Sequence, residues 1–292
     1  MSSPCSISQR ASVACIWEAT ARKVGNVHPG ASFSDLTYLD FVLSATAMEH
    51  VTSSSFGTKV GQAIWLPTFF TQQTVGRNTN LGIILLLAPL AGVNPYSRLQ
   101  EGLPQVLDGL TVDDAKQAFE AIQMANPGGL GDAPEQDVRS EPTVTLLEAM
   151  KLAADRDLIA RQYANNYADV FDLGVPAFVD AFAKYGNVEA AVIACQFAWM
   201  AAFPDSLIAR KRGSAVAEDV QQRVRHVLSL GGLDTPEGRR AGVELDAHLR
   251  SDGNKLNPGT TADLVAACLF VALRENKVTP SAPFRWNVPD WL

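Results

Sequence analysis

Three observations predict an all-α fold. No segment sustains the apolar–polar alternation of a half-buried strand. Ala- and Leu-rich segments instead place apolar residues at helical spacing along the whole chain. Capping and stop residues flank them. Helices are expected over residues 8–22, 34–52, 58–72, 80–91, 112–124, 144–171, 175–184, 187–202, 214–230, 236–250 and 261–275. Ser32-x-x-Asp35 and Thr111-x-x-Asp114 read as capping boxes, and Thr235-Pro236 puts proline at a first helical position. Gly174, Gly186 and Gly231-Gly232 read as stops. Leu81–Val93 is too short to span a bilayer and carries Pro89, so it is expected as a buried helix.

No composition break or repeat divides the 292 residues, which are expected to form one all-helical domain, 1–292. The irregular stretch 126–142 contains Gly128, Gly129, Gly131 and Pro134, and a loop of that length is usually functional or mobile. The tail 277–292, with Phe284, Trp286 and Trp291, is expected to follow an irregular path over the surface.

The formal charge of −7 argues against a nucleic-acid surface and requires local cations or metal ions for any polyphosphate ligand. Four scattered cysteines and four dispersed histidines form no zinc signature. Reduced thiols and the absence of a leader-like N-terminus lead to the expectation of a cytoplasmic protein with no membrane partner.

Polar Asn/Gly loops repeatedly precede apolar helices: Lys23-Val-Gly25-Asn26-Val-His28, Asn78-Thr-Asn80-Leu-Gly82 and Asn257-Pro-Gly259-Thr260-Thr261-Ala-Asp263. Free amides at a helix start favour anions, which suits a phosphorylated ligand. Thr260-x-x-Asp263 has a plainer reading as a capping box. On the helix expected over 144–171, Glu148 and Asp155 share a polar face and could share Mg²⁺ bound to substrate phosphates; Asp157 points elsewhere. Surface ion pairs with Lys151 and Arg161 are the alternative for these acids. Asp205 precedes a basic cluster, Arg210-Lys211-Arg212, that could hold a phosphate chain or simply end a solvated helix.

Together, Lys23-x-Gly-Asn-Val-His28-Pro, Asp35 with Asp40 and Ser44, Asn78-Thr-Asn-x-Gly82, Asp205 with Lys211 and Gly213, and Asn257-Pro-Gly-x-x-Ala-Asp263 resemble the triphosphoribosyl-dephospho-CoA synthase family. The chain departs from the family at Val24, where proline is usual, and at Asn80-Leu81, where His-Lys is usual; it is similar to divergent members from archaea and methylotrophs. The resemblance implies an all-helical transferase that moves the triphosphoribosyl group of ATP to a hydroxyl of dephospho-CoA or a related acceptor and releases adenine. It implies Mg²⁺ on Glu148, Asp155 and Asp137, and Asp263 or Asp157 as general base. Lys23, Lys211 and Arg212 would neutralise phosphates, with Gly25, Asn26, Asn78, Asn80, Gly82, Asp205, Asn257, Gly259, Thr260 and Thr261 shaping the nucleotide site. Partners would be small molecules, and a homodimer is compatible. The alternatives are an enzyme or nucleotide-binding protein of methanopterin- or methanofuran-linked cofactor biosynthesis, and a Mg-dependent nucleotide hydrolase.

Overall fold

The chain folds into fourteen α-helices in a computed structural model that describes residues 5–51, 59–128 and 135–286. In order they are α1 (Ile7–Thr20), α2 (Tyr38–Thr46), α3 (Val60–Val75), α4 (Leu81–Gly92), α5 (Leu99–Asp108), α6 (Val112–Ala125), α7 (Leu146–Ala153), α8 (Leu158–Ala164), α9 (Val175–Tyr185), α10 (Val188–Ala202), α11 (Ser206–Arg212), α12 (Ser214–Ser229), α13 (Pro236–Arg250) and α14 (Gly259–Arg274). A 3₁₀ turn follows α2, and a π turn at Val170–Gly174 leads into α9. No strand occurs among the described residues.

Helix α14 is the axis of the molecule. Every residue from Leu264 to Leu273 is buried, because the helix is apolar all round and is enclosed by α1, α4, α9 and α10. Cys15, Cys195 and Cys268 lie in this interior as free thiols, as their apolar helical context predicts. A second apolar cluster joins α10 to α12 and α13 through Ile193, Phe197, Val220, Val224 and Leu245.

Helix α4 is also buried, from Ile83 to Ala91, despite Pro89. Proline has no N–H, so the carbonyl of Leu85, four residues earlier, loses its helical donor. Tyr163 of α8 supplies the replacement, its hydroxyl donating to Leu85 O at 2.6 Å, and Tyr167 donates to Leu86 O at 3.0 Å. Both phenols are fully buried, and burial pushes their pKa values up.

Several expected boundaries shift. The single helix expected over 144–171 is broken. The Asp157 side chain accepts from the amides of Ile159 and Ala160, which starts a new helix, and Asn166 and Tyr167 take positive φ. The cap of α2 is Thr37-x-x-Asp40 rather than Ser32-x-x-Asp35, with Thr37 N donating to Asp40 at 2.7 Å. Thr111 and Thr235 cap as expected. Thr260-x-x-Asp263 is not a cap: α14 already begins at Gly259, which puts both residues inside the helix. Helix α5 has no counterpart in the expected set because Gly102 and Pro104 lie within it. Gly186 and the Gly231-Gly232 pair adopt positive φ and end helices, whereas Gly174 continues from the π turn into α9. Gly129, Gly131 and Trp291, which figure in the expected loop and tail, lie outside the described residues.

Candidate active site

The N-termini of α4, α8, α11 and α14 converge on a cleft of about 1100 Å³. Of the residues singled out in the sequence, Asn26, Asn78, Asn80, Gly82, Asp137, Asp157, Lys211, Asn257, Gly259, Thr260 and Asp263 line it. Lys23, Gly25, Asp205, Arg212, Thr261, Glu148 and Asp155 do not.

Gly82, the second residue of α4, sits directly against Asp263. A Cβ on Gly82 would overlap the Asp263 carboxylate and approach Ile159 Cδ1 to 2.7 Å. Asn80 reaches back from the same turn to donate to Ser44 O at 3.2 Å, and Asn78 Oδ1 accepts the Leu81 amide. These asparagines spend polar groups on shaping the loop.

Asp263 is half-buried and differs from the acids around it. Among the described residues nothing donates a hydrogen bond to it. Burial raises its proton affinity well above the ordinary carboxylate range, and the charges of Glu18, Asp205 and Asp157 raise it further; Arg210 opposes them. Asp157 has no such freedom. One of its oxygens caps α8, and the other pairs with Arg210. Of the two candidate bases, only Asp263 keeps its oxygens open to the cleft.

Asp205 is a clasp and makes no contact with the cleft. Its Oδ1 accepts from Leu207 N and Ile208 N, capping α11, while its Oδ2 accepts from Thr261 N (2.7 Å) and Thr261 Oγ1 (2.8 Å). Ser206 Oγ and Thr260 Oγ1 are 3.0 Å apart beside it. The Gly259 amide donates to Asn257 O, so two of the first three amides of α14 are already engaged. That reduces the anion-binding capacity expected of the Gly259–Thr261 backbone.

Lys23 is fully buried. Its Nζ lies 2.8 Å from Glu18 Oε1 and 2.6 Å from Glu18 O. It therefore supports Glu18, which does line the cleft, and cannot reach a phosphate directly. Gly25 has φ +70°, and a Cβ there would come within 2.8 Å of Leu249. Its amide donates to Asp246, and Asn26 bonds Asn257 and Gln196, so the loop is held from α10 and α13.

Four cations line the cleft: Arg77, Arg156, Arg210 and Lys211. Lys211 donates to Asn254 O at 3.2 Å, and its pKa is lowered by burial against the pull of Asp35 and Asp205. Arg212, the next residue, points to Asp252 at the surface. Arg77, Arg156 and Glu18 had no motif around them, although Arg77 immediately precedes Asn78.

The acids expected to hold Mg²⁺ do not meet. Glu148 completes a capping box with Thr145, Asp155 stands exposed outside the cleft, and Asp137 lines the cleft paired with Arg139. The break after α7 removes the shared helix face on which Glu148 and Asp155 were grouped. No set of three or more His, Cys, Asp or Glu side chains among the described residues is arranged to hold a metal.

An all-helical protein with four cations and an open, proton-avid carboxylate in one deep cleft is built as an enzyme for anionic substrates. The chain belongs to the ATP:dephospho-CoA triphosphoribosyl transferase family, whose model matches residues 4–281. A Pseudomonas savastanoi protein named "Probable 2-(5''-triphosphoribosyl)-3'-dephosphocoenzyme-A synthase" is 31% identical over 201 residues, covering 68% of this chain and 67% of that protein. A Pseudomonas putida protein of the same name is 34% identical over 113 residues, 38% of this chain and 40% of its own length. The fold matches a crystal structure from Archaeoglobus fulgidus described as a triphosphoribosyl-dephospho-CoA synthase. That match has a TM-score of 0.62 and 23% identity, and covers 82% of this chain and 99% of the other. Among the described residues, no single helix is long and apolar enough to cross a membrane.

Proposed function

We propose that this protein transfers the triphosphoribosyl group of ATP to the 2'-hydroxyl of dephospho-CoA and releases adenine, with Asp263 as general base. The bond from C1' of ATP to adenine breaks, and a bond from C1' to the acceptor oxygen forms. The hydroxyl proton passes to Asp263 and from there, by way of solvent, to the departing adenine nitrogen, so adenine leaves neutral and the carboxylate is regenerated. The observation that carries this reading is the open Asp263 carboxylate, held against Gly82 in a cleft that four cations line. Raised proton affinity makes a carboxylate a stronger base toward a hydroxyl proton.

Arg77, Arg156, Arg210 and Lys211 would take the triphosphate, where a partly desolvated lysine gives up little hydration on binding an anion. Magnesium belongs to the ATP substrate in this reading, since Mg²⁺ needs only one or two carboxylates beside phosphate oxygens. Asp137 and Asp35, which line the cleft, would assist it, and the ion would offset the charge of the triphosphate. The cleft exceeds the roughly 300–1,000 Å³ of a site for one small ligand, which suits two nucleotides side by side. Free thiols and an ATP substrate fit a cytoplasmic setting.

The test is incubation with Mg-ATP, with and without dephospho-CoA, and mass analysis of the products. Adenine release that depends on the acceptor, with a triphosphoribosyl adduct, is expected. Adenine formed without acceptor would make the protein a hydrolase and overturn the reading.

A further inference from the structure

Two helices present only apolar side chains to the cleft. Helix α6 contributes Phe119, Ile122, Met124 and Ala125; α7 contributes Leu146, Ala149, Met150 and Ala153, at offsets of three, four and seven. Phe119, Ile122 and Ala125 form a stripe along α6, and the α7 set forms another. The two helices start side by side, since Leu146 N donates to Thr111 O at 3.2 Å, and Lys116 pairs with Glu141 across their connection at 2.7 Å. Phe119, Leu146 and Met150 are nearly inaccessible yet still face the cleft, so the stripes form a built wall.

The α7 stripe has a direction. It begins at Ala153, next to the turn that carries Arg156 and Asp157, and runs back to Leu146. Seven residues of helix make an arm of about 10 Å leading away from the charged end.

We propose that this arm binds the aliphatic pantetheine chain of the acceptor. The proposal rests on dephospho-CoA being the acceptor. A purine is the competing occupant, but polar atoms ring its whole edge, whereas the hydroxyl and two amides of pantetheine lie along a flexible chain and can turn to the polar side of the cleft. The gem-dimethyl group and thioethyl end of pantetheine need only apolar contact, and a methionine on the wall adapts well to a sulfur-bearing chain. A nucleotide placed with its phosphates at the charged end would lay such a chain along α7.

Saturation-transfer NMR on dephospho-CoA with the whole protein tests this without turnover. Wild type should saturate the gem-dimethyl protons strongly. Ala149→Glu should abolish that signal and keep the adenine signals, while raising the acceptor KM about tenfold and changing the ATP KM by less than about twofold. Leu152→Glu, on the exposed side of the same helix, should behave as wild type in every readout. Saturated adenine protons with silent methyls would overturn the subsite and leave the transferase reading standing. An Ala149→Glu protein that keeps the methyl signal would overturn it too. Saturation of no proton at all would overturn both.

Discussion

Gly82 and Asp263 are fitted to one another: the space that a side chain on Gly82 would fill is occupied by the Asp263 carboxylate. The amino end of α4 thereby meets α14, and the Asp263 carboxylate, the proposed general base, fits into the space of an absent methyl group. Gly82→Ala should fold, with a loss of about 1–3 kcal/mol from overpacking. Turnover should fall about 10²-fold, because displacing a reacting group by about an ångström costs that much. Urea midpoints and adenine release measured on one preparation would separate the two effects.

Asp263→Asn should abolish most transfer, about 10²–10⁴-fold. It should also stabilise the protein near neutral pH. The folded-state pKa of Asp263 lies above its unfolded value, so between the two values the folded state holds more protons. Stability is therefore lost as pH rises through that window, and the asparagine variant escapes the loss. Melting temperatures at pH 7 should favour the variant, and the advantage should vanish at low pH, where both states are protonated. Glu18→Gln removes the largest neighbouring negative charge and should move the acid limb of kcat/KM to lower pH.

Lys23 and Glu18 form a buried pair whose value is conditional. Lys23→Met strands the Glu18 charge and should cost about 3–5 kcal/mol. The double variant Lys23→Met, Glu18→Gln should recover most of that loss. Denaturation of the four proteins in a double-mutant cycle reads the coupling, and two additive losses would contradict the pairing.

His28 should make the fold acid-sensitive. Burial first, then Arg250 and Lys23, lower its pKa to about 4, with Asp246 pulling the other way. The unfolded chain takes up a proton near pH 6.5, before the folded state does, so stability is complete above that value and declines as pH falls toward 4. His28→Asn should flatten the stability difference between pH 7 and pH 5 in urea titrations.

Helical periodicity made the architecture legible, and the Asn/Gly loops marked residues that line the cleft. Asp263, Lys211 and Asn80 were found because they lie in local patterns. Glu18, Arg77 and Arg156 were not, since each is a single charge that only tertiary packing brings to the cleft. Lys23 and Asp205 were read as ligand contacts because a chain segment does not reveal which polar side chains face inward. The helix expected over 144–171 failed at Asp157, where a side-chain cap outcompetes a backbone ladder that periodicity alone would continue. The metal trio failed with it.

The Tyr163 hydroxyl that mends α4 at Pro89 fastens it to α8, and both helices present their N-termini, Gly82 and Asp157, to the cleft. A shared weld, near the middle of one beam and the far end of the other, fixes the spacing of their tips. The floor of the cleft thus behaves as a rigid anvil, and any movement that admits two bulky nucleotides falls to the rim, where Asp35, Arg77, Asn254 and Lys211 are joined only through loops and side chains.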